Sequence, residues 1–369
     1  MDFKEERRIK HQRVVEYLDA HGLDAAVLAR RCNFNWYTCG ARNYVSTAAD
    51  MGNSFLAVTR DGAKAITSNI EAPRLRMEDL ATAGIDVVEF PYFDLSKRDA
   101  AFREAIGNLR AAADAPLPFA PLPALEGDFD RLRRTLTEGE VARYRDVCRD
   151  VVSAVEYVAQ DAQRGTREDE LAGMVAGALM CSGCQPWVVL TAADDRIERF
   201  RHPLPTDKRV RRMFMIAACA ERRGLICAAT RLASFAPLDG ELARKHKAVM
   251  TVDVAMIGAT RPGATLGEAF REGQAAYAAA GYEDQWRMHH QGGPTGYLPR
   301  EVIATPNDAT PVLANQAFAW NPSIAGTKSE DTIICLPHST ELLAPPTNWP
   351  KTEATWKGIT LSRPEILIR

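Results

Sequence analysis

Histidine changes its charge near neutral pH, so it can act as a general acid, a general base or a metal ligand. The chain has seven histidines. Three of them stand in loops rich in glycine and proline: His202 in RFRHPLPTDK, and the adjacent His289 and His290 in MHHQGGPTGY. Such loops often carry functional side chains. These three are therefore the first candidates for catalysis, although His202 taken alone could equally be a histidine that closes a loop hydrogen bond.

The other histidines have plainer interpretations. His11, His21 and His246 lie in charged segments with helical periodicity and are predicted to be solvated. His338, in CLPHSTE, begins a loop after a strand and is predicted to be structural.

The strongest carboxylate candidates are Glu330 and Asp331 in TKSEDTIIC, where a strand begins. Successive side chains of a strand point to opposite faces of its sheet. One of the two could therefore face a cleft floored by the sheet; a pair of solvated loop charges is the alternative.

Composition narrows the class of protein. The 369 residues are 46% hydrophobic and 25% charged, with a formal net charge of −2, which gives no basis for a nucleic-acid or membrane-surface partner. No apolar run approaches the roughly 18–20 residues that span a bilayer. The charged start MDFKEERRIKHQ and eight cysteines without a secretion signal predict a cytoplasmic protein with reduced thiols. Cys181-Ser-Gly-Cys184 follows a helical segment, which favours a helix end over a redox motif.

The periodicity of apolar residues predicts two domains, an α/β domain over 1–135 and an α+β domain over 136–369. The segment 30–44 is predicted to be a loop, and 54–68 a hairpin with Asp61-Gly62 at its turn. Helices are predicted over 5–22, 98–112, 138–163, 167–181, 238–255 and 265–280, and further strands over 24–29, 86–94, 186–192, 213–220, 224–231, 317–320 and 331–336.

Several separated segments carry a resemblance to a known family. They are TEGEVARYR, RHPLP, GLICAATR, RPGATLGEAF, HHQGGPTGY, WNPSIAG and EDTIIC, with NFNWYTCGA in the first domain. In type and order they resemble the pita-bread hydrolases: creatinase, prolidase, aminopeptidase P and methionine aminopeptidase. The resemblance implies a C-terminal pita-bread domain preceded by a smaller creatinase/prolidase-type α/β domain.

The resemblance also implies where a metal centre would lie. The metalloenzymes of the family hold two divalent ions with two aspartates, one histidine and two glutamates. The aspartates fall here on Ala217 and Ala228, the histidine on His290, and the glutamates on Asn321 and Glu330. Three of the five ligands are therefore missing, and we expect neither a functional metal nor another cofactor. A single adventitious ion on His290 and Glu330 is the alternative.

Loss of metal does not remove all chemistry from this fold. Creatinase hydrolyses a C–N bond without metal, using a histidine in the loop that His202 occupies here. The resemblance therefore implies a metal-independent, creatinase-like hydrolase of a small amide, amidine or amino-acid derivative, with His202 as general acid and base. His290 and Glu330 would bind or polarise the substrate, and His289 and Asn321 would contact it.

Other functions stay open. The chain could be a non-catalytic pseudoenzyme, or it could run a lyase or cyclisation reaction on the same fold; a metal-dependent Xaa-Pro aminopeptidase or prolidase is less favoured. Arg231 or Arg261 could supply a cation for a substrate carboxylate.

The family resemblance further implies a homodimer in which the N-terminal domain of one subunit covers the active site of the other. The loop NFNWYTCGARNYV has the aromatic and polar groups that such a cover would use. Arg42 and Tyr44 are its candidate substrate contacts, together with Phe34 and Trp36. For the aromatic residues, the alternative is the core of the small domain.

Overall fold

A computed structural model of the chain describes residues 1–345 and 348–369. The chain divides into two compact units, Met1–Gly139 and Glu140–Arg369. Within the described ranges, no helix is both long enough and apolar enough to cross a membrane.

The first unit is a five-stranded mixed sheet with helices. Its strand order is β4-β3-β2-β1-β5, in which the β1–β2 and β2–β3 pairs are antiparallel and the β3–β4 and β1–β5 pairs are parallel. The elements are α1 (Phe3–His21), β1 (Ala25–Arg30), α2 (Arg31–Tyr37), β2 (Met51–Thr59), β3 (Gly62–Ser68), α3 (Ala72–Arg74), β4 (Asp86–Phe90), α4 (Leu95–Ile106) and β5 (Ala111–Ala113), with a π-helix at Leu75–Asp79 and a 3-10 helix at Phe129–Arg133.

Local sequence signals account for several boundaries in this unit. The side chain of Asp2 accepts a hydrogen bond from the Glu5 backbone and so caps the start of α1. Gly22 ends that helix at φ 63°, a left-handed conformation that glycine adopts without strain. The predicted hairpin is β2 and β3, which pair from Thr59 opposite Gly62.

The segment 30–44 differs from its prediction as a loop, because seven of its residues form α2. Phe34 and Trp36 are both fully buried. Their burial supplies the packing free energy that makes so short a helix stable. Both side chains therefore belong to the core of the first unit and are not available to cover a substrate.

The second unit is built on an antiparallel sheet of order β6-β7-β8-β13-β10-β9, with β14 added at β13 and β17 at β8. The helices predicted over 138–163, 167–181, 238–255 and 265–280 are all present. The elements are α5 (Glu138–Asp161), α6 (Glu168–Cys181), β6 (Gln185–Ala193), α7 (Asp195–Arg199), β7 (Met213–Arg222), β8 (Leu225–Ser234), α8 (Gly240–Ala259), α9 (Leu266–Ala279), β9 (Gly292–Thr295), β10 (Gln316–Trp320), β11 (Ser323–Ile324), β12 (Thr327–Lys328), β13 (Asp331–Cys335), β14 (Thr340–Leu342), β15 (Lys351–Trp356), β16 (Ile359–Pro364) and β17 (Leu367–Ile368), with a 3-10 helix at Gln285–Met288.

The two faces of this sheet have different surroundings. On one face, Phe318, Trp320 and Ile333 pack with Val252 of α8 and Phe270 of α9 in a continuous apolar core. We call this the helix face. Because side chains alternate along a strand, the neighbours of these residues point to the opposite face. That second face carries the candidate site.

A tight turn sets the register of the central hairpin. Arg222 of β7 pairs with Leu225 of β8, so only Arg223 and Gly224 lie between the strands. Their φ angles are 53° and 82°, as a type I′ turn requires. The Gly224 amide also donates to Glu221 Oε1 at 3.0 Å. This register determines which residues of the two strands share a face.

His246 on α8 is buried, so the prediction that it is solvated is wrong. Its Nδ1 lies 2.6 Å from Thr327 Oγ1 and its Nε2 lies 3.1 Å from the Pro364 carbonyl oxygen. A carbonyl only accepts, so Nε2 carries the proton and Nδ1 accepts from the threonine. Burial lowers the pKa of His246 to about 4. The neutral histidine therefore links α8 to β12 and β16 through these two hydrogen bonds.

Candidate functional site

The floor of the site is the sheet face opposite the helices. Ala217 pairs with Thr230, and Cys219 pairs with Ala228, so these four side chains share a face of the β7–β8 hairpin. The Thr230 hydroxyl donates to Glu330 Oε2 at 2.7 Å, which places Glu330 on the same face. We call this surface the site face.

Glu330 is a buried carboxylate whose two oxygens are both engaged. Lys328 Nζ lies 2.6 Å from Oε2, and an Arg300 guanidinium nitrogen donates to Oε1 at 2.8 Å. Burial opposes the charge of Glu330, but Lys328 and Arg300 outweigh it and hold the pKa of this carboxyl far below its usual range. Glu330 is therefore ionised and acts as the counter-ion of two cations.

Lys328 and Arg300 were not among the residues predicted from sequence. Lys328 stands two residues before Glu330 at the end of β12, and in an extended segment residues i and i+2 point the same way. That spacing in TKSED was a usable signal. Arg300 lies 30 residues away in the loop after β9, and nothing local in the sequence connects it with Glu330.

Three imidazoles meet beside this ion pair. The Nε2 atoms of His202 and His289 are 3.0 Å apart, and the His290 ring centroid lies 4.6 Å from that of His289 and 5.6 Å from that of His202. Each ring can place one nitrogen within 4.8 Å of the others. His289 is buried and its Nδ1 lies 3.3 Å from Ser323 Oγ, whereas His202 is exposed.

The surroundings of the three rings keep them neutral. Burial lowers the pKa of His290 to about 4, and the positive charge of Arg300 adds to this effect. Burial also depresses the pKa values of His202 and His289, and in both cases the Lys328 ammonium is the next cause. Unprotonated imidazoles at neutral pH can accept protons. Lys328 is thus close enough to act electrostatically on the same groups that could do proton transfer.

Two glycines allow the loop that carries His289 and His290 to reach the sheet. Gly292 has φ 93°, and a Cβ built there would lie 2.1 Å from the Ala319 carbonyl oxygen of β10. Gly293 has φ 148°, and its Cβ would lie 2.4 Å from the Val302 carbonyl oxygen. Only glycine tolerates both the conformation and the close approach. The GG of HHQGGPTGY is therefore required for the position of the histidines.

Similarity to known proteins agrees with this architecture. The profile of Metallopeptidase family M24 matches residues 142–337. The chain belongs to metallopeptidase family M24. No match was found among curated protein sequences.

Solved structures show how far the fold of this M24 protein is shared. A prolidase from Pyrococcus horikoshii superposes with a TM-score of 0.77 at 19% identity, over 92% of this chain and 98% of that one. The dipeptidase PepE from Mycobacterium ulcerans gives 0.74 at 17%, over 93% and 97%. An X-Pro aminopeptidase from Thermotoga maritima gives 0.74 at 16%, over 91% and 98%. The predicted pita-bread fold with a smaller N-terminal domain is confirmed.

The donors of this M24 protein do not fit a dinuclear metal centre. Ala217 and Ala228, where the resemblance places aspartates, offer no donor atom, and their strand positions put both side chains on the site face. Both carboxylate oxygens of Glu330 are already engaged by Lys328, Arg300 and Thr230. Two divalent ions need several free carboxylate oxygens. The side-chain oxygen of Asn321 is buried without a partner, but a neutral amide oxygen does not replace them.

The histidine trio is a different set of donors. Neutral imidazoles suit Zn²⁺ and related ions, and a tetrahedral site with Zn–N of about 2.0–2.1 Å separates two nitrogens by about 3.3 Å. The 3.0 Å between His202 and His289 is close to that value. The Lys328 ammonium, which already depresses the pKa values of both rings, opposes any added positive charge there. The donor types fit a single ion, and the electrostatics disfavour it.

Arg231 is not placed to bind a substrate, contrary to the sequence-based prediction. Its guanidinium pairs at 2.8 Å with Glu156 and at 2.8 Å with Asp331, and the side chain is fully buried. Asp331 pairs with Ala229 and shares the helix face with Arg231, whereas Glu330 points to the site face. The predicted alternation of Glu330 and Asp331 is therefore present. Arg231 lies with Asp331 on the helix face, away from the candidate site.

The remaining predicted site residues lie in different settings. In the first unit, the Arg42 side chain is exposed and pairs with Asp79 at 3.2 Å, and the Arg31 guanidinium covers the ring of Tyr44 at 3.7 Å. In the second unit, Cys219 was not predicted as a site residue but lies on the site face, where burial raises the pKa of its thiol to about 12. A thiol so far from ionisation is a poor nucleophile.

Two of the cavities formed by the described residues of the second unit bear on the location of the site. The larger, about 1230 Å³, is lined by charged residues of α7, of the loop before β7 and of the start of α8, and it contains none of the predicted site residues. The smaller, about 440 Å³, is lined by His289 and His290 with an apolar wall that includes Phe270, Trp286 and Ile303. The smaller cavity borders two of the three histidines, His289 and His290, and is therefore the one of the two that adjoins the candidate site.

Proposed function

We propose that this M24 protein hydrolyses a C–N bond in a small amide, amidine or amino-acid-derived substrate without the dinuclear metal of its family, using His202 as general acid and base. The observation that carries the proposal is the His202–His289 pair. An exposed imidazole, kept neutral, lies 3.0 Å from a buried second imidazole. General acid–base catalysis needs a positioned group of this kind.

The proposed roles follow from position. His202 would take a proton from the attacking water and return it to the leaving nitrogen. His289 would orient the His202 ring through its Nε2 while its own Nδ1 is held near Ser323. His290, whose Nδ1 is buried without a partner, and Asn321, whose Oδ1 is likewise unpartnered, would contact the substrate. Glu330, which was predicted to polarise the substrate, is instead proposed to position Lys328 and Arg300.

The test combines metal analysis with turnover. The purified protein is assayed for bound metal before and after incubation with Mn²⁺, Co²⁺, Zn²⁺ and Fe²⁺, and then tested on matched small amides, amidines and N-acyl amino acids. We expect far less than one equivalent of metal, turnover that survives chelation, and loss of turnover in His202→Asn. The exposed His338→Asn serves as the control. Full activity in His202→Asn would remove the proposal.

A second candidate is a hydrolase with one metal ion on His202, His289 and His290. The donor types and the 4.8 Å limit on their separation favour it. It predicts about one equivalent of Zn²⁺ per chain, lost in His290→Ala. In this case chelation would abolish turnover, which is the opposite of the result expected for the first candidate.

We also propose a homodimer in which Arg42 and Tyr44 of one subunit reach the substrate of the other. The exposure of the Arg42 side chain, 55%, supports its availability. Mixing inactive His202→Asn with inactive Arg42→Ala would restore part of the activity if the site is shared. No recovery in a mixed dimer of proven composition would contradict the shared site.

A further inference from the structure

We propose that Lys328 is a catalytic residue whose ammonium, held on Glu330, stabilises negative charge on a substrate oxygen, so that the substrate is an amide and not an amidine. This inference rests on the proposed hydrolysis of a C–N bond and selects among its substrate classes. It also assigns a role to a cation that lies on the same sheet face as Ala217 and Ala228.

The position of the ammonium is well determined by its neighbours. Lys328 is 7% exposed, and its Nζ lies 2.6 Å from Glu330 Oε2. Thr230 shares that oxygen, and Arg300 holds the other one. An ammonium has three N–H donors, so this ion pair leaves donors that can point to a ligand. Lys328 is the cross-strand partner of Ser323, whose Oγ lies 3.3 Å from His289 Nδ1, so the lysine is a neighbour of the proton-transfer groups.

The charges that surround the three imidazoles do not cancel. Lys328 and Arg300 contribute two positive charges against the one negative charge of Glu330, and the imidazoles are neutral. Glu221 shares the site face but lies at the turn end of the hairpin, where it accepts from Trp187 Nε1 and the Gly224 amide. Asp331 and Asp253 belong to the helix face, where Arg363 pairs with both of them. The region around the imidazoles is therefore net positive. It attracts an anion or a developing oxyanion and repels an amidinium or guanidinium cation.

The reaction step is then balanced for an amide. His202 accepts a proton from water as the water oxygen forms a bond to the carbonyl carbon. The electron pair of the C=O π bond moves to oxygen, where Lys328 donates a hydrogen bond to the oxyanion. The C–N bond breaks as the carbonyl re-forms, and the proton on His202 passes to the leaving nitrogen. The products are a carboxylic acid and an amine, and no oxidant or metal is needed.

Turnover is one test of this role. Matched amides and amidines of equal size are compared on wild type, Lys328→Met and Lys328→Arg. We expect turnover of the amides only, a loss in kcat of about 100- to 1000-fold in Lys328→Met with little change in KM, and partial recovery in Lys328→Arg. Unchanged kcat in Lys328→Met, while His202→Asn is inactive, would overturn the inference and leave the proposed hydrolysis intact.

Binding of a charged probe tests the inference even if no substrate is found. Methylphosphonate represents a tetrahedral oxyanion and guanidinium represents the rejected cation; both are titrated calorimetrically. We expect binding of methylphosphonate alone, weakened about 10- to 100-fold in Lys328→Met. The control is Lys245→Met, which removes another largely buried lysine from an ion pair, with Glu241 at 2.8 Å.

A last variant distinguishes the loss of the Lys328 charge from a folding defect caused by an unpaired Glu330. Lys328→Met leaves Glu330 with one cation fewer, so the double variant Lys328→Met/Glu330→Gln removes both charges and keeps the volume. We expect it to fold and to bind methylphosphonate as weakly as Lys328→Met does. Binding of guanidinium by wild type, or wild-type affinity for methylphosphonate in the folded double variant, would overturn the role of Lys328.

Discussion

The Nε2 atoms of His202 and His289 lie 3.0 Å apart, and Nδ1 of His289 lies 3.3 Å from Ser323 Oγ. Two neutral imidazoles at this distance share one proton, so one ring donates and the other accepts. The exposed His202 ring therefore contacts the buried His289 ring, which in turn contacts the Ser323 hydroxyl. These two contacts give His202 a defined orientation, although it lies in a loop outside regular secondary structure.

The first prediction concerns this link. His289→Ala should lower kcat by about 100-fold, within the range that general acid–base groups contribute, because His202 loses the partner that orients it. Ser323→Ala should cost much less, since it touches only the far nitrogen. The measurement is steady-state kinetics, with the exposed His338→Ala as the control. Equal rates in His289→Ala and wild type would show that His202 acts alone.

The second prediction concerns the positions that lack aspartates. In Ala217→Asp/Ala228→Asp, the new carboxylates are buried close to Lys328 and Glu330, so we expect a lower melting temperature and no rescue by Mn²⁺. Adding Lys328→Ala removes the ammonium from Glu330 Oε2, which keeps its hydrogen bond from Thr230, and Mn²⁺ should then raise the melting temperature. The readout is thermal unfolding with and without Mn²⁺. Strong Mn²⁺ stabilisation of the variant that keeps Lys328 would show that the ion pair with Lys328 does not prevent Glu330 from binding a metal.

The third prediction separates Arg231 from the site. Arg231→Met removes the buried cation that pairs with Glu156 and leaves Asp331 with Arg363 alone, so the free energy of unfolding should fall by about 3–5 kcal/mol. Methylphosphonate binding to the folded fraction should not change. Arg145→Met is a matched control, because Arg145 forms an ion pair with Glu341 at 2.8 Å on the surface; it should cost no more than about 1 kcal/mol. Similar losses in the two variants would argue against a structural role for Arg231.

The fourth prediction is a pH dependence of stability that comes from His246. Its pKa is about 4 in the folded state against 6.5 in the unfolded chain, so the unfolded state binds more protons between these values. The contribution of His246 is therefore present above pH 6.5 and is lost as the pH falls toward 4, by about 3 kcal/mol in total.

The test compares wild type with His246→Gln by denaturant unfolding across that range. Asp253 on the same helix changes in the opposite sense, because burial raises its pKa to about 6, so the difference between the two proteins is the informative quantity. We expect this difference to shrink as the pH is lowered. A constant difference from pH 7 to pH 4 would mean that His246 does not titrate as described.

Much of the architecture could be predicted because its signals are local. Periodicity located the long helices of the second unit to within a few residues. The positive φ angles of Gly224 in the Arg223-Gly224 turn and of the two glycines after His290 explain why glycine stands there. The helix α2 could not be found this way. Its stability comes from burying Phe34 and Trp36 in the first unit, and a seven-residue helix has little stability of its own.

The residues of the candidate site also differ in whether local sequence signals could identify them. His202, His289, His290 and Glu330 could be chosen from residue type and loop context, and Lys328 could have been added from its spacing to Glu330. Arg300 and the burial of His246 could not, because each depends on contacts made by distant segments. The assignment of Arg231 to a substrate failed for the same reason: its partners Glu156 and Asp331 lie 75 and 100 residues away.

The amino-acid sequence alone determined which groups are available: alanines at the two positions where the family resemblance places aspartates, three histidines in two loops, and an alternation that sends Glu330 and Asp331 to opposite faces. Only the tertiary structure decided how these groups are used. It brought His202 next to His289, 87 residues away, and it paired the carboxylate oxygens of Glu330 with Lys328 and Arg300. The physical reason is that pattern and covalent geometry act over a few residues, whereas the partner of a buried charge is chosen by packing of the whole sheet.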